Sequence, residues 1–202
     1  MNTQQDTTTW GPNVIIADAD YIDSVAFDLI VNFERMLERR IQPADLAHWI
    51  DCVALDGGVR EGCGDTQVVL LHEKGREQLE NFRPANYEND IHGKAFKDNL
   101  GEFSLTTVAV EELVTKDDLL LDIVRTVCAD KAVQRVMAIP GEGEITDRLR
   151  LAMQQVDENK RVTIFTMQPV QGGNFRQEIL GYSLMSALGI SSNELHTQGR
   201  QP

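Results

Sequence analysis

The chain has 202 residues, of which 42% are hydrophobic and 25% charged, and its formal net charge is −13. This length suffices for one well-buried domain and is short for two. No apolar run approaches the roughly 20 residues that a membrane-spanning helix needs, so the sequence predicts a protein outside the membrane. The negative charge excludes a protein that coats nucleic acid through a broad basic surface. It leaves open an enzyme whose metal ions attract phosphate.

The first nine residues are polar and lack the basic and apolar segments of a secretory signal. The sequence therefore predicts a cytoplasmic protein. Its three cysteines, Cys52, Cys63 and Cys128, match no zinc-binding spacing and lie in or beside apolar sequence, which is typical of reduced structural thiols. The oligomeric state stays open, including a homo-oligomer.

The first half of the chain predicts two strands separated by helices. Residues 14–18 are an apolar, β-branched run typical of a buried strand, and Asp23 or Ser24 can cap the helix that follows. That helix has one apolar face, formed by Val25, Leu29, Phe33, Met36 and Leu37. The next predicted elements are a helix from Pro43 that ends before Gly57 and Gly58, a loop to Gly64, a strand over 67–72 and a short helix over 73–81. Residues 82–99 are predicted to be irregular apart from one short helix.

The second half continues the alternation. The predicted elements are strands over 103–110, 135–139 and 161–167, helices over 115–128 and 145–156, and a last helix carrying Phe175, Ile179, Leu180, Leu184 and Leu188 before Gly189. Such alternation predicts a three-layer α/β/α sandwich with a mainly parallel, five-stranded sheet. We expect a single domain with an ordered core over residues 12–190 and polar tails at both ends.

Two acidic pairs follow predicted strands. Asp18 and Asp20 end the first strand, and Glu142 and Glu144 follow the fourth. If these strands are neighbours, the four carboxylates converge at the edge where parallel sheets bind ligands. Simpler roles also fit, since Asp20 could be a turn or cap residue and the two glutamates could favour the dipole of the helix after them. Asp18 continues an apolar strand and is the hardest of the four to explain in that way.

A third acidic pair lies on the helix after residue 115. Asp118 and Asp122 are four residues apart and therefore share one helical face. Asp118 also completes a capping-box-like pattern with Thr115, and that structural role is the stronger one for it. Asp122 interrupts an apolar stretch and is the better candidate for a site, although Arg125 could pair with it.

Other polar residues form no recognisable catalytic motif. The histidines show no ligand spacing, although His72 ends the second strand and could reach the crevice, or could be structural. No serine or cysteine has the context of a nucleophile. Four basic residues could flank a phosphate path or could simply be solvated charges: Arg148, Arg150, Lys160 and Arg161.

The acidic groups occur in a recognisable order along residues 14–167. An apolar strand ends in Asp18, a helix from Lys116 carries Asp118 and Asp122, and Ile-Pro-Gly-Glu-Gly-Glu over 139–144 precedes a helix and the strand at 161–165. This order resembles the NYN branch of the PIN-like nucleases. That family places an Asp at the first strand, an Asp on the fourth helix and a Ser-Gly-Asp-x-Asp-type turn after the fourth strand.

The resemblance implies strand order 3-2-1-4-5 and hydrolysis of RNA phosphodiesters assisted by Mg²⁺ or Mn²⁺. Asp18, Asp122 and Glu142 would hold the metal, and Glu144 would be a further ligand or a base. The other acidic residues of the clusters, Asp20 and Asp118, are additional candidate ligands. The turn departs from the family pattern, because Pro140 replaces the usual Ser and the two glutamates replace Asp.

Two alternatives stay open. Residues 14–20, Val-Ile-Ile-Ala-Asp-Ala-Asp, resemble the first motif of haloacid-dehalogenase-type phosphatases, in which Asp18 would be the nucleophile and Asp20 the general acid. That family's Ser or Thr is absent because His72 ends the next strand, and no well-placed lysine followed by paired Asp residues is evident. The other alternative is a PIN-like fold retained as a non-catalytic binding or assembly module.

Overall fold

The computed structural model describes residues 9–197, which fold into alternating strands and helices. Within this range the strands are β1 (Asn13–Asp18), β2 (Ala44–Asp45), β3 (Thr66–Glu73), β4 (Phe82–Arg83), β5 (Ala95–Asp98), β6 (Gly101–Val110), β7 (Arg135–Ile139), β8 (Arg161–Thr166) and β9 (Arg176–Ile179). The α-helices are α1 (Ala19–Leu37), α2 (Leu46–Asp56), α3 (Lys116–Ala129), α4 (Glu144–Met153), α5 (Leu180–Ala187) and α6 (Ser192–Thr197). A π-helical turn, Tyr87–Ile91, lies between β4 and β5.

The main sheet of the described residues has the order β5-β6-β3-β1-β7-β8-β9. All of its strands are parallel except β5, which pairs antiparallel with β6 at one edge. Strand β1 lies in the centre, where Ile15 pairs with Val68 of β3 and Met137 of β7. The chain builds outward from β1 to β6 and then returns to β7, so the strand order reverses beside β1. Ligands bind at such a reversal in open α/β sheets.

Helices cover both faces of the sheet, as the alternating sequence predicts. Ile15 and Ala17 pack with residues of α1, α2 and α5, whereas Val14 and Ile16 pack with residues of α3 and α4. Every residue of β1 is buried, which explains why residues 14–17 of this strand are a continuous apolar run rather than an alternating one. The mixed α/β class and the mainly parallel sheet are confirmed.

The prediction of five strands missed the two edges of the main sheet. Strands β5 and β9 have four residues each and are only partly buried, so neither has the apolar run that marks the inner strands. The last helix was therefore predicted too long, since residues 176–179 form β9 and α5 begins only at Leu180. A separate two-stranded sheet of β2 and β4 was also not predicted.

Several helix boundaries differ from those expected. Helix α1 begins directly after β1 with Asp18 as its cap, so neither Asp23 nor Ser24 caps it. Helix α2 begins at Leu46 rather than Pro43. The short helix predicted over 73–81 does not form. The backbone N–H groups of Glu80 and Asn81 instead donate to the buried carboxylate of Asp23, at 3.1 and 2.8 Å.

Helix α3 has the predicted start, because Thr115 caps it and its side chain accepts from the backbone N–H of Asp118. The three cysteines are free thiols. In the predicted carboxyl-terminal tail, residues 192–197 form α6, and Glu194 accepts a 2.8 Å bond from Arg39. The rest of the two predicted tails, residues 1–8 and 198–202, lies outside the described residues. None of the helices over 9–197 is long and apolar enough to cross a bilayer.

Candidate functional site

Asp18 lies at the centre of the candidate site, where β1 ends between β3 and β7. Its side chain is 6% exposed, and its Oδ1 accepts from the backbone N–H of Tyr21 at 2.9 Å. Burial raises the pKa of Asp18 against the opposing effects of this bond and of a nearby lysine. The carboxylate therefore both caps α1 and needs a cation.

The cation beside Asp18 is Lys116, the first residue of α3. Its Nζ lies 3.0 Å from Asp18 Oδ1, 2.8 Å from Asp20 Oδ2 and 3.7 Å from Glu73 Oε1. Burial lowers the pKa of Lys116, but the bond to Asp20 and the charge of Asp18 outweigh it and raise that pKa above its ordinary value. Both residues of the central pair have raised pKa values, and the short contacts to two carboxylates favour a charged ammonium.

Asp20 is held by more than Lys116. Its Oδ2 also accepts from the backbone N–H of Glu73 at 2.8 Å, and its Oδ1 lies 3.5 Å from Nε of Arg76. Asp20 therefore ties α1 to the end of β3 rather than capping a helix. Together, Asp18, Asp20 and Lys116 form a nearly buried charge network that we call the lysine cluster.

The turn after β7 lies against the lysine cluster, as the acidic pairs had suggested. A Cβ atom at Gly141 would lie 3.2 Å from Asp18 Oδ2, so the backbone of this turn is close to the buried carboxylate. Tyr21 connects the two parts, since its hydroxyl donates to Glu142 Oε1 at 3.3 Å. Burial and the charge of Glu142 raise the pKa of Tyr21, which therefore keeps its proton to donate. A cavity of about 470 Å³ opens beside this turn.

Three of the predicted site residues have no hydrogen bond or ion pair with the lysine cluster. Asp118 bonds Thr115 at 2.7 Å and Arg148 at 2.6 Å, and these bonds lower its pKa, Arg148 having the larger effect. Asp122 is exposed on α3, and its side chain has no bonded partner among the described residues. Glu144 is exposed at the start of α4, where its negative charge interacts favourably with the helix dipole. Arg148 is consequently paired and does not line a free phosphate path.

The sequence did not predict four residues that contact the acidic groups of the site: Lys116, Tyr21, Glu73 and Arg76. The sequence pattern places Lys116 at the start of a helix and gives no sign that its side chain meets the end of β1. His72 has no hydrogen bond or ion pair with the lysine cluster among the described residues. It is buried against Tyr87, with ring centroids 3.9 Å apart and the rings nearly parallel.

The model of a family of unknown function, DUF6621, matches residues 7–195 of this sequence. The chain belongs to the DUF6621 family. A search of curated proteins and a search of solved structures find no match.

The lysine cluster of this DUF6621 protein does not fit the divalent ion that the nuclease resemblance implies. Over residues 9–197, no group of three or more His, Cys, Asp or Glu side chains is arranged to hold a metal ion. The two buried carboxylates that could begin such a group, Asp18 and Asp20, both contact Lys116 Nζ. A metal ion there would have to displace an ammonium that makes three acidic contacts.

Proposed function

We propose that this protein is a PIN-like domain that acts as a non-catalytic binding or assembly module. The observation that carries this proposal is the position of Lys116 Nζ, within 3.0 Å of both Asp18 and Asp20. In this arrangement an ammonium of the chain itself supplies the positive charge that a metal ion supplies in a nuclease.

The arrangement of the inner strands supports the PIN-like part of the proposal. The five central parallel strands lie in the order β6-β3-β1-β7-β8, which is 3-2-1-4-5 when they are numbered along the chain. The resemblance implies this order, together with an Asp ending the first strand and an acidic turn after the fourth. Asp18 and Glu142 occupy those two places and are linked through Tyr21.

Electrostatics oppose the entry of a metal ion while the ammonium of Lys116 occupies the cluster. Two unit charges about 4 Å apart interact by about 4 kcal/mol at an effective dielectric constant of about 20. Lys116 gains attraction of this size from each of two carboxylates, and an incoming divalent ion would be repelled by it. The contacts also hold Lys116 in place, because its side chain is only 14% exposed. In the proposed module, the lysine cluster therefore stabilises the fold and does not bind a metal ion.

A metal-dependent ribonuclease is the second candidate, with Mg²⁺ or Mn²⁺ and RNA as its cofactor and substrate. The close approach of Gly141 to Asp18 favours it, because the acidic turn then borders the buried carboxylate as such a site requires. This function would need Lys116 to leave the cluster and Glu142 to turn inward from Tyr21.

A phosphatase of the haloacid-dehalogenase type is the third candidate. Lys116 favours it, because that family uses a lysine with its two Asp residues, and Lys116 contacts both Asp18 and Asp20. Against it, His72 stands where the family has Ser or Thr, and Asp18 already caps α1.

A single substitution separates the three functions. Lys116→Met keeps most of the length of the side chain and removes its charge. A module should show neither RNA cleavage with Mn²⁺ nor hydrolysis of p-nitrophenyl phosphate with Mg²⁺, in the wild type or the variant. A latent nuclease should gain RNA cleavage in Lys116→Met, and a phosphatase should lose activity that the wild type has.

Lys94→Met provides the matched control. Lys94 is exposed before β5 and its side chain has no bonded partner among the described residues, so this variant tests the general loss of one lysine. Thermal unfolding of both variants would show that each remains folded in the assays. Activity that is present in the wild type and absent from Lys116→Met alone would overturn the module proposal.

A further inference from the structure

Four arginines gather at the edge of the sheet opposite the lysine cluster. Arg135, Arg161 and Arg176 are the first residues of β7, β8 and β9, and Arg60 follows α2. Arg135 and Arg161 are direct partners in the register, and Arg176 pairs with Thr163, two residues after Arg161. Because alternate strand residues share a face, the three strand arginines point to the same side of the sheet.

That side is the one covered by α2, as Met137 and Phe165 belong to the core on the same face. The end of α2 is shaped to admit a guanidinium group. A Cβ atom at Gly58 would lie 2.5 Å from Cζ of Arg161, so only a glycine lets this side chain lie against the backbone. Gly58 also has φ +89°, a conformation that glycine adopts easily.

Backbone carbonyls hold three of the guanidinium groups. Arg135 Nε donates to the Gly58 carbonyl at 3.1 Å, and Arg161 Nη2 donates to that of Asp56 at 3.4 Å. Arg60 Nη1 donates to the carbonyls of Leu55 and Val59, both at 2.7 Å. These acceptors lie in or just after the last turn of α2, where the helix dipole favours positive charge. They orient the arginines, but a neutral carbonyl does not cancel a full positive charge.

None of the four arginines has a carboxylate within 4.0 Å among the described residues, although the chain has 32 acidic residues. Two carboxylates interact with the group at longer range, Glu178 with Arg161 and Asp56 with Arg60, so four positive charges face two negative ones. Burial lowers the pKa of Arg161, and the charges of Arg176, Arg135 and Arg60 lower it further. Arg161 Nε is buried and has no hydrogen-bond partner. Positive charges held close together in this way repel one another, and a bound anion would relieve that repulsion.

We propose that Arg60, Arg135, Arg161 and Arg176 form a binding site for phosphate groups. The planar fork of a guanidinium group matches two phosphate oxygens, and several such groups together suit a ligand with more than one phosphate. The chemistry is the same for a free oligophosphate and for the backbone of RNA. The site lies at the amino-terminal edge of the sheet, away from Lys116, and does not depend on the proposed function.

Calorimetry of the whole chain with sodium tripolyphosphate, at about 50 mM salt, tests the site. Arg176→Gln is the first variant, because Arg176 is exposed and makes no hydrogen bond that the fold needs. Arg60→Gln is the second. Loss of one charged hydrogen-bonding group should weaken binding about tenfold or more in each variant. Arg125→Gln, an exposed arginine on α3 at the other face of the sheet, should bind like the wild type.

A single-stranded RNA oligonucleotide distinguishes the two sources of phosphate. If RNA is the ligand, it should bind more tightly than tripolyphosphate, and the slope of log K against log salt should fall by about one in Arg176→Gln. If a free oligophosphate is the ligand, tripolyphosphate should bind and RNA should not compete. The proposal is overturned if neither compound binds, or if Arg125→Gln weakens binding as much as Arg176→Gln and Arg60→Gln do.

Discussion

Lys116 Nζ lies 3.0 Å from Asp18 Oδ1, and this contact joins the start of α3 to the end of β1, 98 residues earlier in the chain. Both side chains are nearly buried, so each depends on the other for neutralisation. Breaking a buried pair by removing one partner typically costs about 3–5 kcal/mol. We therefore expect Lys116→Met to lower the free energy of unfolding by about 3 kcal/mol in urea denaturation.

A double-mutant cycle separates the pair from the rest of the network. Asn is a good helix cap, so Asp18→Asn should keep the bond to Tyr21 while removing the charge. The double variant Asp18→Asn with Lys116→Met should be more stable than the sum of the single effects predicts. Strict additivity of the two changes would contradict direct coupling between these residues.

Asp51 should make stability depend on pH. Burial, with a hydrogen bond to Asp98 and the charge of that residue, raises the pKa of Asp51 to about 7. The folded state therefore holds a proton that the unfolded state releases near pH 4, and this contribution to stability is lost as pH rises from about 4 to about 7. Asn cannot ionise, so Asp51→Asn does not lose this stability as pH rises. The variant should therefore be more stable than the wild type at pH 8 and not at pH 4.

Denaturant titrations at those two pH values check the prediction for Asp51. Asp28→Asn is the control, because Asp28 is exposed on α1 whereas Asp51 is half-buried. An equal change for Asp51→Asn at both pH values would show that the two carboxylates do not share a proton in the folded state.

Gly58 should tolerate substitution less well than Gly62, although both have positive φ values of 89° and 82°. An alanine at Gly62 meets no atom within 4 Å, so it should cost only the backbone strain of about 1 kcal/mol. An alanine at Gly58 would also press on the Arg161 guanidinium, and it should cost more and weaken tripolyphosphate binding. Equal loss of stability in the two variants, with unchanged binding, would contradict the packing described here.

Asp23 holds the end of the segment over 73–81, which was expected to be helical. Its carboxylate is buried and accepts from the backbone N–H groups of Glu80 and Asn81. In Asp23→Asn, the side-chain NH2 group would face one of these two backbone N–H groups. A buried donor without an acceptor costs about 1–3 kcal/mol. Urea denaturation should show a loss in that range, whereas Asp28→Asn should change stability little.

The sequence predicted the inner part of the fold because buried parallel strands are continuous apolar runs. Residues 135–139 were predicted with their observed bounds, and Thr115 was recognised as the start of α3. Strands β5 and β9 were missed because their short sequences, Ala-Phe-Lys-Asp and Arg-Gln-Glu-Ile, gain their strand form from pairing with a neighbour.

The candidate site was predictable only in part. Asp18 stood out because a carboxylate that ends an apolar strand must find a partner. The partner of Asp18 could not be identified from the sequence, since Lys116 lies 98 residues away and only the fold brings the two side chains together. The grouping of Arg135, Arg161 and Arg176 was also hidden, because it depends on the order of β7, β8 and β9 in the sheet.

The central claim is that Lys116 takes the place of a metal ion, and a calorimetric Mn²⁺ titration tests it most directly. At millimolar Mn²⁺ the wild type should bind no ion at the lysine cluster. The titration curves of Asp18→Asn and Glu142→Gln should therefore match that of the wild type. Wild-type binding that is lost in both of these variants would contradict the account, and it would establish a shared metal site at the end of β1.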